Sequence, residues 1–594
     1  MKRLALVSVV CVLVAAGCAS GPAVKTPVTP LPAVRLKELN DMLGAGSYLQ
    51  AYEAIDALRR KPDGIAASDL DSLNARSLDS LSAAFNKAVT GKSFDDALRL
   101  LDSARAIGKP ELAGTWTEKS LLAELAAAQE ARGDTVLALL TRLRVLEAGE
   151  PAEADFTAAL STAEALGNHA VIRFLTASMK TRGFSVPQSA VAEAEAAPSF
   201  QKMISGTVTI LVDRGIRVQN GVGYPDQVIG SGFFIDKRGY LLTNHHVIES
   251  EVDPKYKGYS RLFLRLSESP AGERIPARVV GYDKIFDLAL IKTEVTPPYI
   301  FGGFGAEVPS PGDRIFAIGS PVGLEKTLTT GIVSAMGRRL LQVGDSMQVD
   351  VLVNPGNSGG PLLSANGDVV GIVFAGLQQF AGLNFAVPYS LVEKALPALY
   401  RGGQAVHPWL GMAVAETDKG LEVVYCVPDE PAAQAGIETG DIIDLVDGKP
   451  YKKLSDIQGA VLSHATPSLV TVAVRRGDAH INAVLCLSQR PDDPIETALA
   501  RDSRDNVLYP LFGMQLESVG SFFWRGSYVV KRVTKGSVAD ESGISVDDPL
   551  VIQDWQVDAD KGYALLQVVI KKKRAGFIES AIQIASYLET DNFI

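Results

Sequence analysis

The stretch that decides the fold reads Gly356-Asn-Ser-Gly-Gly-Pro361, with a serine at its third position. Glycines flank Ser358 closely, and because glycine has no Cβ, the main-chain N–H groups beside the serine stay accessible. A serine hydroxyl is a weak nucleophile at neutral pH. It becomes reactive when an imidazole accepts its proton and a carboxylate holds that imidazole in one tautomer. If Ser358 is a nucleophile, a histidine and an acidic residue elsewhere in the chain must therefore lie beside it.

Two upstream stretches supply these groups. Thr243-Asn-His-His-Val247 offers histidines, and Asp287-Leu-Ala-Leu290 begins with a carboxylate. The three stretches lie at the edges of strand-like runs, namely Gly239–Asn244, Val279–Tyr282 and Val349–Val353. A lone Gly-Asn-Ser-Gly-Gly is also typical of a surface turn. The order His, Asp, Ser along the chain, however, is that of chymotrypsin-type serine proteases, and it favours a serine nucleophile.

Residues from about 200 to 490 resemble the HtrA (Deg) family of trypsin-like serine proteases with PDZ domains. Besides the stretches above, the resemblance is carried by Gly230-Ser-Gly-Phe-Phe-Ile-Asp236, Gly281-Tyr-Asp283, Ile318-Gly-Ser-Pro-Val-Gly323, Asn354-Pro-Gly-Asn-Ser-Gly-Gly-Pro-Leu362 and Leu383-Asn-Phe-Ala-Val-Pro388. It implies that His246 is the general base, Asp287 the carboxylate that orients it and Ser358 the nucleophile. It also implies an oxyanion hole formed by the N–H groups of Gly356 and Ser358.

Two neighbouring residues are interpreted as bystanders. His245 precedes His246, and on a strand end it would point to the opposite face. Asp283 lies near Asp287, but the family pattern places the catalytic carboxylate at the Asp-Leu-Ala-Leu stretch.

The family resemblance predicts an all-β, chymotrypsin-like protease domain over residues 199–402. Its two antiparallel six-stranded barrels would flank the cleft, with His246 and Asp287 on the first and Ser358 on the second. The substrate pocket should be floored by Leu352 and Val353, beside a wall at residues 372–375. Because no acidic residue stands there, we expect cleavage after small or medium aliphatic residues, with broad specificity.

Residues 403–491 predict a PDZ domain, an α+β module that binds peptides. His407-Pro-Trp-Leu-Gly-Met412 resembles the carboxylate-binding loop of HtrA-type PDZ domains, which assigns this role to the N–H groups of Leu410, Gly411 and Met412. A peptide would add to the edge of the sheet as an extra strand, and its terminal carboxylate would receive those N–H groups.

Residues 492–594 predict a second, divergent PDZ-like domain. Pro510-Leu-Phe-Gly-Met514 echoes the carboxylate-binding loop, while Pro549 stands where a strand often needs an N–H group. The stretch Asp591-Asn-Phe-Ile594 has two readings: it could itself be a PDZ ligand, or it could be a packed or frayed tail.

The first residues predict an exported, lipid-anchored protein. Lys2-Arg3 precedes an apolar run from Leu4 to Val14, too short to span a bilayer, and Ala15-Ala-Gly-Cys18 follows. The pattern resembles a bacterial lipoprotein signal over residues 1–17, with lipidation at Cys18, a Pro-rich tether at 18–35 and a location facing the periplasm. An ordinary secretory signal is the alternative.

Residues 36–196 predict an α-helical repeat region. Gly46-Ser-Tyr-Leu-Gln-Ala51 resembles Lys92-Ser-Phe-Asp-Asp-Ala97, and looser copies begin at Gly133 and Gly167. This is similar to tetratricopeptide repeats, which stack helix pairs into a solenoid. A generic helical bundle is an equal alternative.

Composition narrows the functional classes. The net charge of −10 gives no basis for nucleic-acid binding, and the basic run Lys571–Arg574 is interpreted as a solvated strand edge or hairpin arm. Six histidines and four cysteines show no zinc-site spacing, so no metal or other cofactor is expected. Two cysteines of the mature part, Cys426 and Cys486, could form a disulfide or remain buried thiols.

Taken with the resemblance, these features predict a serine endopeptidase that cleaves misfolded or regulatory proteins, with PDZ and helical modules that bind substrates or partners. The alternative is a chaperone or scaffold that uses the protease fold mainly for binding. The resemblance also implies a homotrimer, which the residues themselves do not indicate.

Overall fold

The computed structural model describes residues 31–266, 273–301, 308–319, 327–338, 341, 343–352, 356–376, 383–519, 527–558, 561–574, 576–588 and 592–594. The predicted signal, the lipidation site Cys18 and the first part of the tether lie outside the described residues. None of the helices within these ranges is long and apolar enough to cross a membrane.

The first region is helical. Its α-helices are α1 Leu31–Gly44, α2 Tyr48–Arg60, α3 Ala67–Thr90, α4 Phe94–Ala106, α5 Glu118–Ala131, α6 Thr135–Glu147, α7 Glu153–Leu166, α8 His169–Thr181 and α9 Gln188–Ala194, with a 3₁₀ helix at Pro110–Ala113. Helix α1 begins within the predicted extended tether, so residues 31–35 are helical instead. Pro32 permits this because the first turn of a helix does not need its N–H group.

The four internal repeats mark the starts of α2, α4, α6 and α8, which confirms a helix-start signal at each. A left-handed residue precedes each helix by two positions: Gly46, Lys92, Gly133 and Gly167 have φ values of 83°, 58°, 78° and 67°. Consecutive helices pack against one another from α1 to α9. Solenoids share this arrangement, and the tetratricopeptide assignment stays a prediction.

The protease region contains α10 Phe200–Gly206, β1 Thr207–Gln219, β2 Val222–Asp236, β3 Tyr240–Thr243, α11 His245–Val252, β4 Arg261–Arg265, β5 Ile275–Pro276, β6 Arg278–Asp283, β7 Leu288–Lys292, β8 Arg314–Gly319, β9 Thr327–Arg338, β10 Ser346–Val349, β11 Pro361–Ser364, β12 Val369–Gly376, β13 Asn384–Pro388 and α12 Tyr389–Arg401. Its second half is the expected closed six-stranded barrel, in the order β10-β13-β12-β11-β8-β9.

The first half of the protease region differs from the expected six-stranded barrel. Within the described ranges it is an eight-stranded sheet, and it includes β14 Gly403–Gln404, which follows α12. Strand β14 pairs in parallel with β6, so the start of the next domain is attached to the protease sheet.

The first PDZ domain continues with β15 Pro408–Trp409, β16 Met412–Thr417, β17 Gly420–Cys426, α13 Pro431–Gln434, β18 Ile442–Val446, α14 Leu454–Val461, β19 Leu469–Arg476, β20 Ala479–Cys486 and β21 Ser488–Gln489. Its sheet has the order β16-β17-β18-β19-β20, so β16 and β20 are the edge strands. Cys426 and Cys486 are free thiols, which excludes a disulfide between them in this structure.

The last domain contains α15 Pro494–Arg501, α16 Arg504–Phe512, β22 Met514–Ser518, β23 Ser527–Val533, α17 Val538–Glu541, β24 Pro549–Asp558, β25 Tyr563–Arg574 and β26 Gly576–Tyr587. Two details differ from expectation. The predicted loop at residues 510–512 is the end of helix α16, and Pro549 is the first residue of β24, where a missing N–H group is tolerated.

The four regions share apolar cores. Buried residues of α6–α8 belong to one cluster with the protease sheets, and those of α3–α5 form another with Leu469, Val484 and Cys486 of the first PDZ domain. Trp409, Val424 and residues of the last domain form a third cluster. The helical region therefore contacts both the protease and the first PDZ domain.

Candidate active site

A histidine and a carboxylate meet where β3 ends and β7 begins. The Nδ1 atom of His246 lies 2.7 Å from Oδ2 of Asp287, and the main-chain N–H of His246 donates to Oδ1 of the same carboxylate at 2.9 Å. Asn244 adds a side-chain hydrogen bond to the carbonyl oxygen of Asp287 at 2.8 Å. Both carboxylate oxygens therefore orient His246, and the ring presents its Nε2 atom away from Asp287.

Electrostatics distinguishes the two adjacent histidines. Burial acts to lower the pKa of His246, but the hydrogen bond and charge of Asp287 outweigh it, and the pKa is raised above 6.5. The neighbouring His245 is buried, and burial lowers its pKa. Its ring stacks on Tyr282 at 5.4 Å. His245 is the first residue of helix α11 and not a strand end, so the strand argument for its orientation does not apply.

A buried carboxylate shapes the turn that carries Asp287. Oδ1 of Asp283 accepts hydrogen bonds from the N–H groups of Ile285 and Phe286, each at 3.0 Å. Its Oδ2 atom lies 2.9 Å from Nε2 of His407, which comes from the segment after the protease domain. Asp283 thus supports the turn and does not contact His246.

The serine loop packs against the start of α11. The N–H of Ser231 donates to the carbonyl oxygen of Ser358 at 2.7 Å, and the Ser231 hydroxyl donates to that of Gly356 at 2.6 Å. Gly359 has a φ of +85°, and a Cβ there would lie 2.2 Å from the carbonyl oxygen of Ser231 and 3.2 Å from the nitrogen of Asn244. The loop is therefore in close contact with the segment that carries His246.

In the part of the chain that the structure describes, no hydrogen bond joins His246 to Ser358. Ser358 is half-buried and Gly356 is buried with a φ of +106°. Among the described residues, neither the Ser358 hydroxyl nor the N–H groups of Gly356 and Ser358 have a hydrogen-bond partner. Leu352 of the predicted substrate pocket is 67% exposed, and Val353 lies outside the described residues.

The predicted carboxylate-binding loop of the first PDZ domain has a ligand from the same chain. The N–H groups of Leu410, Gly411 and Met412 point to the main-chain oxygen of Ile594, at 3.2, 3.0 and 3.3 Å. Gly411 has a φ of +76°, and a Cβ there would lie 2.3 Å from Cβ of Glu430. The three N–H groups therefore converge on one main-chain oxygen.

Sequence reasoning missed several supporting residues. Ser231 lies in the Gly-Ser-Gly stretch that carries the resemblance, so the sequence could have indicated that it lies near the serine loop. Arg490, whose Nη1 atom donates to the carbonyl oxygen of Phe593 at 3.0 Å, gave no signal. His407 belongs to the quoted loop stretch, but its contact with Asp283 depends on how two domains pack.

Three protein-family models match the chain. The trypsin-like peptidase domain matches residues 230–372, the PDZ domain matches 408–487, and the TP0546 family PDZ domain matches 495–588. The last two matches agree with two consecutive PDZ domains. The first covers the segment that carries His246, Asp287 and Ser358.

Two named relatives agree with these matches. A putative serine protease HhoB from Synechocystis sp. is 34% identical over 42% of this chain and 64% of its own length. A probable periplasmic serine endoprotease DegP-like from Pseudomonas fulva is 33% identical over 53% of this chain and 68% of its own length. A crystal structure of a serine endoprotease from Yersinia pestis is 28% identical, covers 50% of this chain and all of its own, and has a TM-score of 0.40.

Fold, site and matches together define a trypsin-like serine endopeptidase with PDZ domains. Within that class, the chain belongs to the HtrA family of DegP-like serine proteases. Relatives named as periplasmic proteases support a location in the cell envelope facing the periplasm.

Proposed function

We propose that this protease hydrolyses peptide bonds through His246, Asp287 and Ser358. The observation that carries the proposal is the pair of hydrogen bonds that the Asp287 carboxylate accepts from the ring and the main-chain N–H of His246. This arrangement leaves the ring's other nitrogen as the one that can accept a proton from a serine hydroxyl.

The reaction follows from these roles. His246 accepts the Ser358 proton as the hydroxyl oxygen bonds to the scissile carbonyl carbon, and the developing oxyanion receives the N–H groups of Gly356 and Ser358. The protonated ring then donates to the leaving amine, and an acyl-enzyme remains. A water molecule, deprotonated by the same ring, releases the acyl group and restores the serine. Leu352 and Val353 would select an aliphatic residue before the cut.

We infer that the substrates are misfolded or regulatory proteins of the envelope. PDZ domains bind extended peptide ends, and a stack of helices offers a surface for partners. We further propose that Cys18 is lipidated, which the signal-like N-terminal sequence supports. We also propose that residues 36–196 form tetratricopeptide-like repeats and that the protein is a homotrimer. The internal repeats support the first of these, and the family membership supports the second.

The decisive experiment is labelling with a fluorophosphonate probe together with casein cleavage, for the unmodified protein and for Ser358→Ala. Ser358→Ala should lose labelling and lower cleavage by several orders of magnitude while circular dichroism stays unchanged, since only one oxygen is removed. Undiminished cleavage would refute the triad. Lack of labelling in the unmodified protein would favour the chaperone or scaffold alternative.

Lipidation is tested separately, because it concerns only the N-terminus. Cys18→Ser should abolish the lipidated form in mass spectrometry and release the protein from membranes. Retention of the variant on membranes with an unchanged N-terminus would exclude a lipid anchor at this residue.

A further inference from the structure

We propose that the peptide groove of the first PDZ domain is occupied in cis by residues 592–594, which the second PDZ-like domain carries there. A peptide from another protein must then displace this segment. The inference rests on the proposed role of the groove in binding extended peptides, and it adds a resident ligand to that role.

The main chain of the segment pairs with the groove as an added strand. Besides the three N–H groups that point to the Ile594 oxygen, the N–H of Ile594 donates to the carbonyl oxygen of Met412 at 2.9 Å. The N–H of Val414 donates to the carbonyl oxygen of Asn592 at 2.9 Å, and Ala413 forms an antiparallel bridge with Phe593. These contacts satisfy the edge of β16, which would otherwise expose unpaired groups.

The side chains of the segment are as buried as core residues. Ile594 is 3% exposed and belongs to the apolar core of the first PDZ domain. Phe593 is fully buried, and its ring lies 6.3 Å from that of Tyr425 in an edge-to-face arrangement. Arg490, also buried, donates to the Phe593 carbonyl oxygen. A frayed tail would not show this burial, so the alternative of a PDZ ligand fits the structure.

The second PDZ-like domain has lost part of the groove that such domains use. In the first domain, helix α14 lies between β18 and β19 and packs against β16. In the second domain, the corresponding strands β24 and β25 form a direct hairpin, with Asp558 paired to Tyr563. Within the described part of this domain, no helix between β24 and β25 stands where α14 stands in the first domain. This favours its use as a carrier of a ligand over its use as a receptor.

Contacts between the two domains hold the carrier in place. Arg532 and the buried carboxylate of Glu422 form a two-bond ion pair, in which Nη2 lies 2.7 Å from Oε2. The Tyr425 hydroxyl donates to Asp502 at 3.1 Å. Within the second domain, the Asn592 amide donates to the Pro510 carbonyl oxygen at 2.8 Å, which attaches the segment to that domain. A ligand attached through a rigid neighbour has a high local concentration at its site, on the order of 1 mM or more.

The consequence is competition. Only the fraction of molecules with an empty groove can bind an external peptide, so the apparent dissociation constant is raised by the inverse of that fraction. Releasing residues 592–594 should therefore tighten the binding of an external peptide by about the ratio of the local concentration to the intrinsic dissociation constant of the segment, which is about tenfold for a constant of about 0.1 mM.

The test compares the full chain with two altered chains, one lacking residues 592–594 and one carrying Ile594→Asp, which places a charge in the apolar pocket. Val546→Asp, at a 53% exposed apolar site of the same domain, is the matched control. The probe is a fluorescein-labelled hexapeptide that ends in Asn-Phe-Ile with a free carboxylate, measured by fluorescence polarisation. Hydrogen exchange of residues 410–414 is followed in parallel, and circular dichroism checks that each chain is folded.

We expect protected amides at residues 410–414 in the unmodified chain and in Val546→Asp. The same amides should exchange faster in the chain lacking residues 592–594 and in Ile594→Asp. The peptide should bind at least about tenfold more tightly to the chain lacking residues 592–594 than to the unmodified chain. Equal exchange and equal binding in all four chains would overturn the proposal. Protected amides that are lost on deletion, without peptide binding to the deleted chain, would support cis occupancy and refute external peptide capture. Protection that appears only at high protein concentration would overturn the proposal, because the groove would then hold residues 592–594 of another copy of the chain.

Discussion

Asp287 has a φ of +52°, a left-handed conformation that L-residues other than Asn and Asp seldom adopt. The conformational strain of this left-handed backbone is offset by the hydrogen bonds that it allows. It turns the carboxylate back toward helix α11, where one oxygen binds the main chain of His246 and the other binds its ring. A single residue thus fixes both the position and the tautomer of the proposed base.

Asp287→Asn should lower kcat/KM on the order of 10⁴-fold, because the amide stabilises the wrong tautomer and cannot stabilise the charged ring. Asp287 raises the pKa of His246 above 6.5, so activity in the unmodified enzyme should fall as pH drops through a value above 6.5. In the variant, the acid limb should move to lower pH. The measurement is kcat/KM between pH 5 and 9 with a fluorogenic peptide. An unmoved acid limb would exclude His246 as the titrating base.

Gly359→Ala should disable the serine loop. A methyl group would lie 2.2 Å from the Ser231 carbonyl oxygen and 2.3 Å from the Thr243 hydroxyl, and displacing the loop by even 1 Å costs about 100-fold in rate. Gly221→Ala is the matched control, since Gly221 also has a positive φ, +79°, but has no atom within 4 Å of the added Cβ. The control should lose about 1–2 kcal/mol of stability and keep its activity. Equal kcat/KM in both variants would contradict the close contact.

At the scale of elements, the turn between β6 and β7 depends on a residue from another domain. His407 lies at the start of the first PDZ domain, its ring nitrogen contacts Asp283, and its ring packs edge-to-face with that of Phe286 at a centroid distance of 4.9 Å. The turn that positions Asp287 is therefore closed by the segment that leaves the protease domain.

His407→Ala should destabilise the protein by about 1–3 kcal/mol, because it leaves an oxygen of the fully buried Asp283 without a partner. It should also lower kcat, since the turn carrying Asp287 loses its support, while fluorophosphonate labelling slows without disappearing. His480→Ala, which removes a histidine side chain that is 77% exposed on the same domain, should change neither. Urea unfolding and labelling rates measure both effects, and a His407→Ala protein indistinguishable from the control would refute the coupling.

Some of the elements could be predicted from the local sequence, and others could not. Glycines and short polar residues before Tyr48, Phe94, Thr135 and His169 act locally, and the helix starts were predictable from them. The pairing of the three N–H groups of residues 410–412 with one oxygen was likewise predictable from a local loop. The α-helical end of residues 504–512 was not, because Pro510 and Gly513 carry the same turn signal in either structure. Nor could any local pattern show that residues 592–594 cross to another domain.

At the scale of the whole molecule, the helical region connects the protease to the first PDZ domain. Arg238 of the protease pairs with Asp134, the residue just before α6, at 2.9 Å, and Arg60 of α2 donates to the Ala435 carbonyl oxygen of the PDZ domain at 2.7 Å. On the PDZ side, edge strand β20 is covered by α2, where the Val484 N–H donates to Asp56 at 3.2 Å. Both edges of the PDZ sheet are therefore covered, one by α2 and the other by residues 592–594.

The contact between the helical region and the PDZ domain encloses a carboxyl group. Glu53 of α2 is 2% exposed, and burial raises its pKa to about 8, against a hydrogen bond from the Cys486 main chain that lowers it. Asp56 raises this pKa further and Arg60 lowers it. Since the unfolded value is 4.5, the folded protein holds a proton on Glu53 between about pH 4.5 and 8 that the unfolded chain releases.

Stability should therefore be highest below pH 4.5 as far as Glu53 is concerned, fall as pH rises toward 8, and level off above that value. Glu53→Gln, which keeps the shape without an ionisable group, should remove this slope and raise the unfolding temperature at pH 8 by about 2 °C or more. Glu147→Gln, on the exposed side of α6, should keep the slope of the unmodified protein. Thermal unfolding of the three proteins at pH 5, 6, 7 and 8 measures this. A slope that survives in Glu53→Gln would mean that the contact between α2 and β20 is not where the protein senses this change in pH.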